Sequence, residues 1–286
     1  MSFSHRVVAT VILLLGSVFA QAQVPPRYQK EAMAAYREKQ FAKCAAIFVD
    51  AVGTEPRQAL APPIGAARCH AGAGDTVNAQ RYLQLALDRG YRNCKLLEGD
   101  AVFQGLRDGE GWAELLEKCR ANEERFYASL NAELFVAFLS DQSDRMADDL
   151  DVARVLDRDA QRRRLVSLAV EGKTVRTAED YYHAAMIMQH GDSAGDIAQA
   201  RKLAKRSTEL DPTNGNALWL YAATTDRYLH QSGRPQIYGT QMKQVNGQWS
   251  RDPYDPKAVT DAERARWRVP SLEEQRQELE ELNLKQ

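Results

Sequence analysis

The stretch FAKCAAIFVDAVGTEP, residues 41–56, carries the clearest fold signal in this chain. Its apolar side chains recur three or four positions apart, as they do on one face of an α-helix. Pro56 ends the helix, because proline has no N–H to donate and its ring obstructs the preceding turn. A second stretch with the same spacing begins at Ala79 and stops before Gly90. These patterns predict helical hairpins in the first half of the chain.

The four cysteines are evenly spaced, each 25 residues after the last. An even number of cysteines in an exported chain predicts disulfides, because exported proteins leave the reducing cytosol. Residues equidistant from the turn of a helical hairpin lie side by side. Cys44 and Cys69 are centred on the turn at Pro56, and Cys94 and Cys119 are centred beside a glycine-rich turn. The sequence therefore predicts the bonds Cys44–Cys69 and Cys94–Cys119.

A zinc site and a redox-active disulfide are the alternatives for these cysteines. Both usually place two cysteines in a close pair such as C-x-x-C, and the sequence has no such pair. A bond across a 25-residue separation stabilises a folded domain by about 3 kcal/mol on the chain-entropy model. A structural role is therefore favoured.

Residues 1–22 are predicted to be a secretory signal peptide. An apolar stretch over 7–20 precedes Ala20 and Ala22, which give the small-x-small pattern of a signal peptidase site. This stretch is shorter than the about 20 apolar residues that cross a bilayer, so no stable membrane insertion is expected after cleavage. We expect a periplasmic or secreted bacterial protein.

Charge argues against a nucleic-acid partner. The chain has 38 basic and 39 acidic side chains and lacks a basic tail. Nucleic-acid binding normally requires a strong positive patch or stripe.

The helical hairpins resemble tetratricopeptide repeats, whose second helix carries small and large residues at set offsets before a closing proline. Three stretches fit these offsets: Cys44, Phe48, Ala51 and Pro56; Ala79, Leu83 and Ala86; and Ala200, Ala204, Ser207 and Pro212. The resemblance implies stacked helices that bind a protein or peptide partner. We assign this repeat region to residues 23–120.

The second half is predicted to be a helical domain over 140–286, joined to the repeats by a connecting helix over 121–139. That helix belongs to a long apolar stripe from Trp112 to Phe138, and a charged helix is expected from Asp141 to Val170. Further helices follow, but Asn246-Gly247 is a strong signal for a tight hairpin turn. The predicted fold class is mostly α-helical, with tetratricopeptide-like hairpins followed by a helical domain that carries a small β-hairpin excursion.

Four short polar motifs occur in order between Asp141 and about residue 270. They are Asp141-Gln142-x-x-Arg145, Gln189-His190, Asp226-Arg227, and Pro235-Gln236-x-Tyr238-Gly239-Thr240-Gln241. This ordered set resembles an uncharacterised bacterial family that carries the same motifs. The resemblance implies no particular reaction. The candidate polar cluster comprises Asp141, Gln142, Arg145, His190, Asp226, Arg227, Gln236, Tyr238, Thr240 and Gln241.

Three interpretations of this cluster remain open. In the first, Asp141, Arg145, Asp226 and Arg227 form a buried network that locks the β excursion onto the helices, since buried charges must be paired. In the second, a hydrolase-like enzyme uses His190 and Asp226 as acid and base, beside a pocket lined by Tyr238-Gly239-Thr240-Gln241. In the third, the region forms a ligand or peptide groove without chemistry. A protein- or peptide-binding scaffold is the favoured function.

The local sequence suggests how three of these residues behave. Asp226 lies at the edge of an apolar helix stripe, which predicts a partly buried carboxylate. His190 closes its helix, where the negative end of the helix dipole favours a charged imidazole, and Asp192 is expected to orient the ring. Gly239 is expected to provide a positive φ or a close backbone approach.

Metal and cofactor sites are not predicted. His183 and His190 are seven residues apart, and Asp226 and His230 are four apart, which is usable ligand spacing on a helix. The sequence nevertheless lacks an H-E-x-x-H motif and the glycine-rich phosphate loops.

Overall fold

The computed structural model describes residues 24–146 and 151–284, and helices dominate both stretches. Within these residues the sheet is a two-stranded antiparallel hairpin, so the mostly α-helical fold with a small β-hairpin is confirmed. The predicted signal peptide lies outside the described residues. The described chain divides into two compact units, Pro25–Ser129 and a second that contains Val24 and residues 130–284.

The first unit begins with four helices, each of which packs against the next. They are α1 (Arg27–Arg37), α2 (Phe41–Thr54), α3 (Ala61–Gly72) and α4 (Thr76–Asp88). Asp75 begins α4 by accepting a hydrogen bond from the N–H of Asn78, and Gly90 follows α4 with a φ of 94°. Both ends agree with the sequence, because an Asp cap satisfies a free N–H and glycine tolerates positive φ.

The first disulfide joins α2 to α3 inside the core of the unit. Cys44 and Cys69 are bonded, their Cα atoms are 5.8 Å apart, and neither side chain is exposed. The Phe48 ring packs onto Gly65 of α3, where a Cβ would come within 2.5 Å of the ring. The missing side chain thus lets the two helices approach closely, and the predicted Cys44–Cys69 bond is confirmed.

The second predicted disulfide, Cys94–Cys119, is also present, but it does not staple a simple two-helix hairpin. Short elements separate its two cysteines: α5 (Cys94–Gly99), a 3-10 turn (Ala101–Phe103) and α6 (Gln104–Arg107), before α7 (Trp112–Ser129). Asn93 caps α5 and Asp100 caps the 3-10 turn. Each cap begins a new short helical element, whereas the sequence predicts a single turn in this region.

The predicted long helix from Trp112 to Phe138, including the connecting helix over 121–139, is interrupted. Helix α7 ends at Ser129, and α8 (Ala132–Arg145) begins after Asn131. The Asn131 side chain accepts from the N–H of Leu134. The apolar period continues across this cap, so hydrophobicity alone does not reveal the break.

The second unit is built on five helices that contact one another. They are α8, α9 (Val152–Glu171), α10 (Ala178–Met188), α11 (Ala194–Leu210) and α12 (Gly215–Gln231). The predicted single charged helix from Asp141 to Val170 is therefore wrong, because α8 stops at Arg145 and Asp151 caps a new helix. Apolar side chains of α8–α12 form the main core of the unit.

The β excursion has the predicted turn. Strands β1 (Lys243–Val245) and β2 (Gln248–Ser250) are joined by Asn246 and Gly247, whose φ values of 52° and 80° are typical of a type I′ hairpin. Two helices complete the chain, α13 (Asp261–Arg266) and α14 (Leu272–Leu284). Asn283 of α14 exchanges hydrogen bonds with the backbone of Trp249. A short hairpin is marginal alone, so this contact stabilises it.

Candidate functional site

The motif over residues 235–241 is folded around the carboxylate of Asp226. Asp226 lies on α12 and is completely buried. Its Oδ1 accepts hydrogen bonds from the N–H groups of Ile237 and Tyr238, at 2.8 and 2.9 Å. Its Oδ2 accepts from the N–H and the hydroxyl of Thr240, at 2.9 and 2.8 Å. Both carboxylate oxygens are thus used to hold the segment.

The glutamines of the motif close the same segment on itself. The Gln236 side chain donates to the carbonyl of Gln241 at 2.9 Å and accepts from its N–H at 3.0 Å. It also donates to the carbonyl of Arg251. The Gln241 side chain donates to the carbonyl of Ala223 at 3.4 Å and to the Thr240 hydroxyl at 3.0 Å. These amides stabilise the loop and connect it to α12.

Gly239 meets both expectations drawn from the sequence. Its φ is 78°, and a Cβ there would lie 2.4 Å from Oε1 of Gln275 and 2.9 Å from Cζ of Tyr254. Gln275 donates to the carbonyl of Tyr238 at 2.7 Å, and Tyr254 donates to Gln275 at 3.1 Å. The glycine therefore lets α14 and Tyr254 approach the motif backbone.

The protonation of this loop is set by its burial. Burial raises the pKa of the Asp226 carboxyl, while the hydrogen bonds from Tyr238, Thr240 and Ile237 lower it. All four hydrogen-bond partners of Asp226 are donors, so they favour the ionised form. Burial also raises the pKa of Tyr238 to about 12. The Tyr238 hydroxyl therefore stays protonated at neutral pH.

A second buried network joins α8 to α9. Nη1 of Arg145 is 2.7 Å from Oδ1 of Asp141, and its Nη2 is 2.7 Å from Oδ2 of Asp159. Arg162 is 2.9 Å from the other oxygen of Asp159, and its second nitrogen pairs with Asp144. Alternating charges in this way compensates the desolvation of each buried group.

His190 contacts this second network, in a way the sequence did not predict. Its Nδ1 lies 3.2 Å from Oδ1 of Asp141, so Asp141 orients the ring and not Asp192. Burial lowers the pKa of His190, the charges of Arg145 and Arg227 lower it further, and Asp141 opposes the shift. The lowered pKa goes against the expectation of a charged imidazole, because burial disfavours the charged form.

The remaining two members of the cluster also use their side chains internally. Gln142 donates to Oδ2 of Asp141 at 2.7 Å. Arg227 donates to the carbonyl of Gln189 at 2.6 Å, and burial lowers its pKa to about 10. Although Asp226 and Arg227 are neighbours in sequence, one holds the motif loop and the other holds the end of α10.

Most of the predicted polar cluster falls into two groups. Asp141, Gln142, Arg145 and His190 share one network, and Asp226, Gln236, Thr240 and Gln241 share the other. Tyr238 joins the second group through its backbone N–H, and Arg227 contacts the carbonyl of Gln189. Among the described residues, His190 and Asp226 have no hydrogen-bond partner in common. The hydrolase-like alternative, in which these two residues act as acid and base, stays a prediction.

Two buried polar residues connect elements of the second unit but are absent from the predicted cluster. Asp180 accepts from the N–H groups of Asn131, Arg176 and Thr177, at 2.8, 3.1 and 3.0 Å. The capping-box spacing of Thr177 and Asp180 is a signal that could have revealed it. Gln275 lies in a helix rich in Glu and Gln, where no local pattern distinguishes it.

An open groove runs between α8 and α9. It has a volume of about 680 Å³, and its lining includes Val136, Ala137, Leu165, Ser140 and Arg158. The Val136 side chain is 63% exposed. Arg158 pairs with Asp144 through Nη1, and no described residue accepts a hydrogen bond from its other nitrogens. We call this feature the α8–α9 groove.

Within residues 24–146 and 151–284, His, Cys, Asp and Glu side chains form no group of three or more that could hold a metal ion. The four cysteines are all in disulfides. In the same part of the chain, no helix combines the length and apolar character that a membrane span requires.

The fold is mostly α-helical, and most of its predicted polar cluster lies in two internal hydrogen-bond networks. Residues 170–285 match the model of a family of unknown function, DUF6624. The match covers the motif loop, the hairpin and α10–α14. It includes His190 but begins after Asp141, Gln142 and Arg145. No curated protein and no solved structure matches the chain. An uncharacterised family is thus supported for the C-terminal part, whereas the tetratricopeptide-like class and the ordered motifs stay predictions.

Proposed function

We propose that this protein is an exported helical scaffold that binds a segment of another protein in the α8–α9 groove. The exposed Val136 above this groove is the observation that carries the proposal. Val136 is 63% exposed and lines a groove of about 680 Å³ with Ala137 and Leu165, so a partner segment seated there would remove apolar surface from water. The buried disulfides support export, because such bonds persist in oxidising compartments.

The charges along the groove indicate what the segment contains. Glu133 lies in the first turn of α8, and Ser140 lies about two turns further on, next to Arg162. Arg158 lines the groove and keeps N–H donors that no described residue uses. A complementary segment carries apolar side chains against Val136 and a carboxylate against Arg158.

Selection of peptides from a random library on the full-length protein tests this proposal. We expect enriched peptides in which apolar residues are followed or preceded by Asp or Glu. Val136→Arg should weaken their binding at least 10-fold, because a bulky cation replaces the apolar contact. Arg158→Gln should selectively weaken the acidic peptides.

Val77→Arg is the matched control, since Val77 is 77% exposed on α4 of the other unit. Peptides that bind the two arginine variants equally well would overturn the proposed groove. Circular dichroism should show the same helicity for all variants, because both valines are mainly in contact with solvent.

A further inference from the structure

A cavity of about 610 Å³ lies between the end of α4 and α7 in the first unit. Four cationic side chains line it, and only one carboxylate does so. The cations are Arg89, Arg92, Lys118 and Arg125, and the carboxylate is Asp88. In a chain with 38 basic and 39 acidic side chains, this is a local excess of positive charge.

Two of the four cations already have partners. Lys118 forms an ion pair with Asp88, and Arg89 donates to the carbonyl of Ala59 at 3.3 Å. Arg92 and Arg125 differ from them. Among the described residues, no carboxylate lies within ion-pair distance of either guanidinium, although Glu123 lines a neighbouring pocket with Arg92.

Neutral groups instead hold these two arginines in position. The Arg92 guanidinium lies 3.6 Å above the centre of the Phe126 ring, a stacked arrangement that leaves its N–H edge available. Arg125 donates to Oδ1 of Asn122. Asn122 is itself buried and donates to the carbonyls of Leu87 and Tyr91, at 2.8 and 2.9 Å.

The wall between the arginines is open. Gly90 lines the cavity with a φ of 94°, and a Cβ at this position would contact nothing within 4 Å. Guanidinium groups bind carboxylates and phosphates through two parallel N–H donors. The cavity therefore combines space, excess positive charge and two oriented guanidinium groups.

We propose that this cavity binds a small anion with at least two negative charges, through Arg92 and Arg125. The recognised chemistry is a multivalent oxyanion, either a phosphate or a polycarboxylate. The volume is within the range of about 300–1,000 Å³ typical of small-molecule sites. This site is independent of the proposed groove in the second unit.

Isothermal titration calorimetry on the full-length protein tests the site with pyrophosphate, citrate and sulfate as probes. All titrations are carried out at one ionic strength, so that general screening is constant. We expect pyrophosphate or citrate to bind, and the stronger of the two identifies the phosphate or the carboxylate source. Arg92→Gln and Arg125→Gln should each weaken that binding at least 10-fold.

Arg120→Gln is the matched control, because Arg120 lies on the same helix, is exposed and pairs with Glu98. Arg125→Lys keeps the charge without the two-pronged donor and should give an intermediate loss. Circular dichroism of each variant checks that α7 remains folded. Absence of binding by all three probes, or equal binding by the Arg92, Arg125 and Arg120 variants, would overturn the proposal.

Discussion

Gly239 shows how one backbone position holds the motif loop together. Its φ of 78° is unfavourable for residues with a Cβ, and a Cβ would lie 2.4 Å from Oε1 of Gln275. Gly239→Ala should therefore lower the free energy of unfolding by about 3 kcal/mol, through backbone strain together with displacement of Gln275. Urea denaturation monitored by circular dichroism measures the change.

Gly233→Ala separates these two effects. Gly233 has a similar φ of 70°, but a Cβ there would contact nothing within 4 Å. Gly233→Ala should lower the free energy of unfolding by only about 1 kcal/mol, because it adds only the strain of a left-handed backbone. Equal losses for the two variants would show that contact with Gln275 contributes nothing.

His190 should make stability depend on pH near neutrality. Burial lowers its pKa in the folded protein, whereas the unfolded chain has a value of about 6.5. The unfolded state therefore binds the proton more readily, and acidification favours unfolding. We expect the free energy of unfolding to be highest above about pH 6.5 and to fall as the pH drops below it.

Denaturation curves at several pH values, for the wild type and for His190→Gln, measure this dependence. The variant should show a smaller loss of stability on acidification, because Gln does not titrate. His230→Gln is the control, since His230 has a lowered pKa but an exposed side chain that water screens. A variant that keeps the full pH dependence would contradict the assignment to His190.

At the scale of secondary-structure elements, Asp180 connects the starts of two helices. Its carboxylate accepts from Thr177 at the start of α10 and from Asn131 at the start of α8. Asp180→Ala removes three hydrogen bonds to a charged acceptor at these helix starts, so we expect a loss of about 3 kcal/mol in unfolding free energy. Chemical denaturation provides the measurement.

Asp196→Ala is the matched control for that prediction. Asp196 completes the same type of capping box with Ser193, but on a more exposed helix start. Asp196→Ala should lower the free energy of unfolding by about 1 kcal/mol, which is the usual contribution of one helix cap. If both variants lose the same stability, the bond from Asn131 to Asp180 is not important.

The elements differ in how far the sequence predicts them. The turn at Asn246-Gly247 and the cap at Asp75 are local, so a few residues determine them. The break before Asn131 is hidden because the apolar period continues through it. The contact of Asp141 with His190 spans 49 residues and depends on how α8 packs against α10. The order of the motifs therefore identifies the polar residues, but it does not predict which of them are in contact.

At the scale of the whole molecule, each unit has its own core. Apolar side chains between Ala32 and Cys119 form the clusters of the first unit, and those between Leu134 and Val269 form the clusters of the second. Both disulfides lie in the first unit. Reduction should therefore destabilise only the first unit.

The four tryptophans allow the two units to be followed separately. Trp112 lies in the first unit, and Trp219, Trp249 and Trp267 lie in the second. In Trp112→Phe, fluorescence reports only the second unit, whereas circular dichroism reports both. After unfolding and refolding with reductant, we expect the fluorescence transition to be unchanged. The free energy of unfolding of the first unit, measured by circular dichroism, should fall by about 3 kcal/mol for each reduced bond. The reason is that the unfolded chain regains conformational freedom. A fluorescence transition that moves by the same amount would show that the units unfold as one.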